Sequence, residues 1–70
     1  MKNNLKELRT KHRLTQLKVQ MDTGIEQSLL SKYENESRVP PADILITLSK
    51  YYGVSIDYIL CQCKTPTRLP

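Results

Sequence analysis

The side chains best able to do chemistry in this chain are amides and hydroxyls at helical spacing. With positions set at ~100° per residue, Gln27, Ser28, Ser31, Lys32 and Asn35 fall on one side of a helix. Leu29, Leu30 and Tyr33 fall on the other, with Glu34 at the border. Amides and hydroxyls both donate and accept hydrogen bonds, and an ammonium attracts anions. That face suits the edges of nucleic-acid bases and holds no carboxylate to repel phosphates. An isolated Gln or Ser on a helix is usually only solvated, and an ordinary surface helix mixes Glu with Lys, so the face departs mildly from the ordinary pattern.

Catalysis has little to work with. His12 is the single histidine; it stands in a basic segment, where a solvated side chain at a helix end is its expected role. No serine or cysteine partner for it can be argued, and two glycines are too few for a phosphate-cradling loop. Cys61 and Cys63 are the only cysteines and offer two thiolates where structural zinc takes four ligands. Two tails in a dimer would supply four, but free thiols in a reducing compartment are the default expectation, ahead of a redox-sensing role. No enzyme activity, no metal and no cofactor is expected.

These residues sit in a chain of seventy, 39% hydrophobic, without Trp or Phe. That length holds one domain at most, near the lower limit for a core without staples. No apolar run approaches the ~20 residues that span a bilayer. The Met1–Glu7 start lacks the apolar region of a secretory signal. A soluble, cytoplasmic domain with no membrane partner is the expectation. The net charge of +4 is uneven. Residues 1–18 set Lys2, Lys6, Arg9, Lys11, Arg13 and Lys18 against Glu7, whereas residues 19–60 are acidic overall. The basic front is either a solvated helix face or part of a surface for a polyanion.

Five short helices are predicted to position the polar face. The first runs from about Asn4 to His12, with Asn4 and Glu7 spaced for a capping box. Thr15 caps a second helix through about Thr23, stopped by Gly24. The third covers about Glu26 to Asn35 and carries the amides. After a loop ending in Pro40 and Pro41, a fourth runs from Ala42 to Tyr52 and stops at Gly53. Ser55 caps a short fifth through about Leu60. Residues 61–70 are expected to be a short flexible C-terminal tail after a domain of residues 1–60.

The second and third helices, with a Gly-containing turn between them, form a helix-turn-helix arrangement. The run Leu14-Thr15-Gln16, then Thr23-Gly24-Ile25-Glu26-Gln27-Ser28, then Leu30-Ser31-Lys32-Tyr33-Glu34-Asn35 resembles the phage-repressor and Cro-type (XRE) family. The likeness continues through Arg38-Val39-Pro40 and the ending from Tyr52 to Leu60, so it covers roughly residues 4–60. The resemblance implies an all-α, compact five-helix lambda-repressor-like domain. By the same likeness Gln27, Ser28, Ser31 and Lys32 match positions that face base edges in the major groove. Thr15 and Gln16, at the start of the second helix, and Asn35, Ser37 and Arg38, after the third, match positions that approach phosphates. Arg9 and Glu34 match a pair that ties the first helix to the third.

Four residues depart from the family pattern. Gln20 stands where Ala is usual, at the close crossing of the second and third helices, and must bend outward or find a partner. Leu17 and Met21 lie one turn apart on the side expected to be exposed, either as ordinary single apolar groups or under a neighbouring chain. Glu26 replaces a common Ser or Thr cap, and its carboxylate faces the side expected to meet DNA, where it can accept from a cytosine amine.

Two functions are compatible with these residues. The first is a sequence-specific double-stranded DNA-binding transcriptional regulator, a repressor, working as a homodimer on a palindromic operator. One recognition helix spans too few base pairs for strong discrimination, whereas two on a two-fold axis read half-sites ~34 Å apart. Tyr58, Ile59 and Leu60 are the expected dimer surface, as more apolar groups than a small core can hide. No small-molecule effector is expected, because seventy residues leave no room for a second domain. The second function is a protein-interaction or antitoxin-like module that keeps the fold without the DNA contact.

Overall fold

The computed structural model describes residues 2–61, and these fold as helices joined by short turns. The helices are α1 (Leu5–Lys11), α2 (Gln16–Thr23), α3 (Gln27–Glu34), α4 (Ala42–Tyr52) and α5 (Ile56–Ile59). Among the described residues no helix is long and apolar enough to cross a membrane. The expected tail and Cys63 lie outside the described residues, apart from Cys61, whose thiol is exposed and free.

Local chemistry accounts for most of the helix ends. The Thr15 hydroxyl accepts the Lys18 N–H at 3.1 Å, and the Ser55 hydroxyl accepts the Tyr58 N–H at 3.0 Å. Gly24 and Gly53 stop α2 and α4 in the left-handed region, at φ 78° and 69°. The capping box expected of Asn4 and Glu7 does not form, since Asn4 makes no side-chain cap bond. Asn4 instead ties the amino end to α5, its Nδ2 donating to the Tyr58 carbonyl and its N–H to the Ile59 carbonyl, both at 2.8 Å. Asn3 takes over locally: its Oδ1 accepts the Leu5 N–H at 3.0 Å, and its Nδ2 donates to the Tyr33 carbonyl at 2.8 Å. Partners distant in sequence outcompete the local box.

The core gathers one to three residues from each helix. Leu5 and Leu8 of α1, Val19 of α2, Leu30 and Tyr33 of α3, and Leu45, Leu48 and Tyr52 of α4 are buried together. Ile25 from the turn, Val54 and Ile59 complete the cluster. Each fully buried aliphatic side chain contributes ~1.5–3 kcal/mol relative to exposure. Ser49 is buried too, and its hydroxyl donates to the Val54 carbonyl, so that polar atom is satisfied. The result for function is positional: α3 packs on both α1 and α2, and its polar side is left outward.

Candidate nucleic-acid interface

The outward side of α3 is set by Leu30 and Tyr33, which are buried and fix the rotation of the helix about its axis. Gln27, Ser28 and Lys32 are consequently exposed, with Ser31 half-buried beside them. Among the described residues Lys32 makes no ion pair. The exposed positions from Gln27 to Lys32 offer two-way hydrogen bonding and one positive charge, without a carboxylate.

Behind this face lies a paired charge. Arg9 Nε donates to Glu34 Oε2 at 2.8 Å and Nη2 donates to Glu34 Oε1 at 3.0 Å, a two-pronged bond across α1 and α3. Arg9 Nη1 also donates to the Leu14 carbonyl at 2.8 Å, which fastens the turn between α1 and α2. The Glu34 side chain is only 6% exposed. The hydrogen bond to Glu34 holds the Arg9 guanidinium above its ordinary pKa, against a smaller opposing effect of burial. The pair expected from the family pattern is therefore present.

The residues expected to approach phosphates take three positions. Gln16 Nε2 donates to Glu34 Oε1 at 3.2 Å, so the amide is anchored to the ion pair. Asn35 Oδ1 accepts the Ser37 N–H at 3.0 Å. Gln16, Ser31 and Asn35 line one shallow groove together with Lys6, Arg9 and Glu34. Thr15 is the α2 cap at the exposed start of that helix. Ser37 donates its hydroxyl to the Lys32 carbonyl at 3.3 Å, and Arg38 follows it, exposed and without an ion pair among the described residues.

Sequence reasoning missed Lys6 as a member of this groove. Its signal was available: Lys6 and Arg9 are three residues apart, and so share one face of α1. Gln20 does find a partner, its Oε1 accepting the Gln27 N–H at 2.9 Å. Leu17 and Met21 are 54% and 73% exposed. His12 is exposed at the end of α1, with its ring centroid 5.6 Å from that of Tyr52.

The expected dimer surface needs a correction. Ile59 is fully buried, at 0% exposure, and belongs to the core of its own chain. Tyr58 and Leu60 are half-buried and pack against that core. The short α5 turns Ile59 inward, so only its two neighbours keep surface for a partner.

Two helices joined by a tight glycine turn, with the second presenting polar side chains outward, define a helix-turn-helix domain. The chain belongs to that family: the model described as a helix-turn-helix domain matches residues 3–62. The XRE-type resemblance holds, and the chain is similar to several HTH-type transcriptional regulators of Bacillus subtilis. It is 45% identical to YobD over 62 residues, which cover 89% of this chain and 55% of YobD. It is 43% identical to ImmR over 56 residues, covering 80% of this chain and 44% of ImmR. Identity to YqaE is 39% over 57 residues, 81% of this chain and 49% of YqaE. The chain spans about half the length of the curated relatives it matches. No solved structure matches it.

Proposed function

We propose that this domain is a sequence-specific double-stranded DNA-binding transcriptional regulator, a cytoplasmic repressor that reads the major groove with α3 as a homodimer. The observation that carries the reading is the outward side of α3. Gln27, Ser28 and Lys32 are exposed on a helix held by the core and by the Arg9–Glu34 pair. Gln27, Ser28, Ser31 and Lys32 read base edges, while Thr15, Gln16, Asn35, Ser37 and Arg38 approach phosphates, joined by Lys6. Tyr58 and Leu60 contribute to the two-fold contact, which sets half-site spacing on a palindromic operator. The work is binding, with no catalytic step or cofactor. The names of the Bacillus relatives support regulation of transcription.

A second reading, a protein-interaction module, is favoured by the exposure of Leu17 and Met21 one turn apart on α2. Replacing Gln27, Ser28 and Lys32 together by Ala separates the two. Loss of operator binding with an unchanged melting curve supports base reading. Retained binding contradicts base reading by α3, and a chain that binds no DNA before substitution leaves the module reading.

A further inference from the structure

We propose that Gln20 is a positioning residue for base reading: it holds the first backbone N–H of α3 from across the turn, beside an exposed Glu26 carboxylate that selects cytosine. The inference rests on the DNA-reading function above and names a specificity within it.

Gln20 holds the turn from both ends. Its backbone carbonyl accepts the Gly24 N–H at 2.8 Å, where α2 stops, and its side-chain oxygen accepts the Gln27 N–H at 2.9 Å, where α3 begins. Between them the Thr23 hydroxyl accepts the Ile25 N–H at 3.2 Å. The first turn of a helix has backbone donors without internal partners, and the residue just before the helix usually supplies a side-chain acceptor. Thr15 does this for α2 and Ser55 for α5. Glu26, in the equivalent place before α3, makes no such bond. The head of α3 is therefore fastened to α2 rather than by its own cap.

Two consequences follow for recognition. Gln27 is the first reading residue, and its own backbone nitrogen is the pinned atom, so its side chain starts from a fixed origin. Glu26 is exposed and free of capping duty, next to Gln27 at the end of α3 nearest the turn. An ionised carboxylate only accepts hydrogen bonds. Among base edges in the major groove it pairs with the cytosine amine and is repelled by phosphate oxygens.

The test uses the full chain, hydrogen exchange at the Gln27 amide, and base preference from competition among operator variants. Gln20→Ala is expected to speed Gln27 exchange about fivefold, the effect of losing one cap. Ala is the common residue here in the resembling family, so this variant is expected to fold. Gln20→Met keeps the length without the acceptor and should behave alike, whereas Gln20→Glu keeps an acceptor and should retain protection. Glu26→Ser in the Gln20→Ala background should leave Gln27 exchange fast, because a cap at position 26 takes the Leu29 amide, as Thr15 takes that of Lys18 and Ser55 that of Tyr58. Glu26→Ser alone should reduce the preference for cytosine at one base pair of each half-site about tenfold, the scale of one base-edge contact. In Gln20→Ala that preference should weaken while the salt dependence of binding stays the same. Unchanged Gln27 exchange in both Gln20→Ala and Gln20→Met overturns the cap. Undiminished cytosine preference in Glu26→Ser overturns the specificity. A wild-type chain that enriches no DNA overturns the parent reading and the base-selecting half with it, while exchange still decides the cap by itself.

Discussion

Arg9 shows what a single residue contributes behind the outward face of α3. Its guanidinium satisfies Glu34 with two hydrogen bonds and the Leu14 carbonyl with a third. Removing it strands a nearly buried carboxylate, so Arg9→Ala is expected to lower stability by about 3 kcal/mol in urea unfolding. Arg9→Lys should recover little, because an ammonium cannot reproduce the fork. On the outer side Arg38→Ala should weaken DNA binding evenly across sequences and reduce the salt slope by ~1, measured by titration at several salt concentrations. Gln27→Ala should instead narrow discrimination between operator and mismatched sites by ~1–3 kcal/mol. The outward side of α3 was legible from helical spacing, because burial of Leu30 and Tyr33 follows from their apolar character. The Arg9–Glu34 pair was legible only through family resemblance, since no local rule joins residues so far apart. The long-range bonds of Asn3 and Asn4 were not legible, because their partners lie on α3 and α5, whereas Gln20 was legible as a residue that had to bend outward or find a partner but not as one that holds the Gln27 N–H.

At the scale of elements, the helix ends divide into those with glycine and those without. Gly24 and Gly53 marked α2 and α4 in the sequence because glycine enters the left-handed region at little cost. Arg13, Glu36 and Cys61 adopt the same region, at φ 58°, 66° and 60°, and left no such mark. After α1 the Arg13 N–H donates to the Thr10 carbonyl at 3.0 Å and the Leu14 N–H to the Arg9 carbonyl at 3.0 Å. These are the paired bonds of a Schellman ending, strong enough to hold a residue with a Cβ there. Replacing Arg13 by Gly should therefore raise thermal stability by roughly 1 kcal/mol, the relief of one left-handed residue. The α2–α4 tie adds a pH dependence. The Tyr51 hydroxyl donates to Asp22 Oδ2, and that bond raises the Tyr51 pKa from 10.0 to about 12. Burial raises Tyr52 from 10.0 to about 12 as well. The folded chain then holds more protons than the unfolded chain between these values. Stability is full below pH 10.0 and falls as pH rises toward about 12. Tyr51→Phe should make the alkaline loss shallower in a series of melts, and unchanged steepness would contradict the tie.

Among the described residues, a single core takes side chains from each of the five helices and leaves the polar side of α3 outward. That economy explains the correction at α5. Counting apolar residues suggested a surplus for dimerisation, but α5 packs on α4 with Ile59 turned into the core between Tyr58 and Leu60. The number of apolar groups was legible in the sequence; which of them turned inward depended on how α5 meets α4. The charge likewise matters by place. Of the basic front, Arg9 is consumed by Glu34, whereas Lys6 borders the groove shared with Gln16 and Asn35. The central claim, that two copies read DNA through α3, is tested most directly by selecting bound sequences from a random duplex pool with the purified chain. The expected result is one enriched palindrome with half-sites about one helical turn apart, lost when Gln27, Ser28 and Lys32 are replaced by Ala. Recovery of no enriched sequence, or of the same palindrome with the substituted chain, would contradict it.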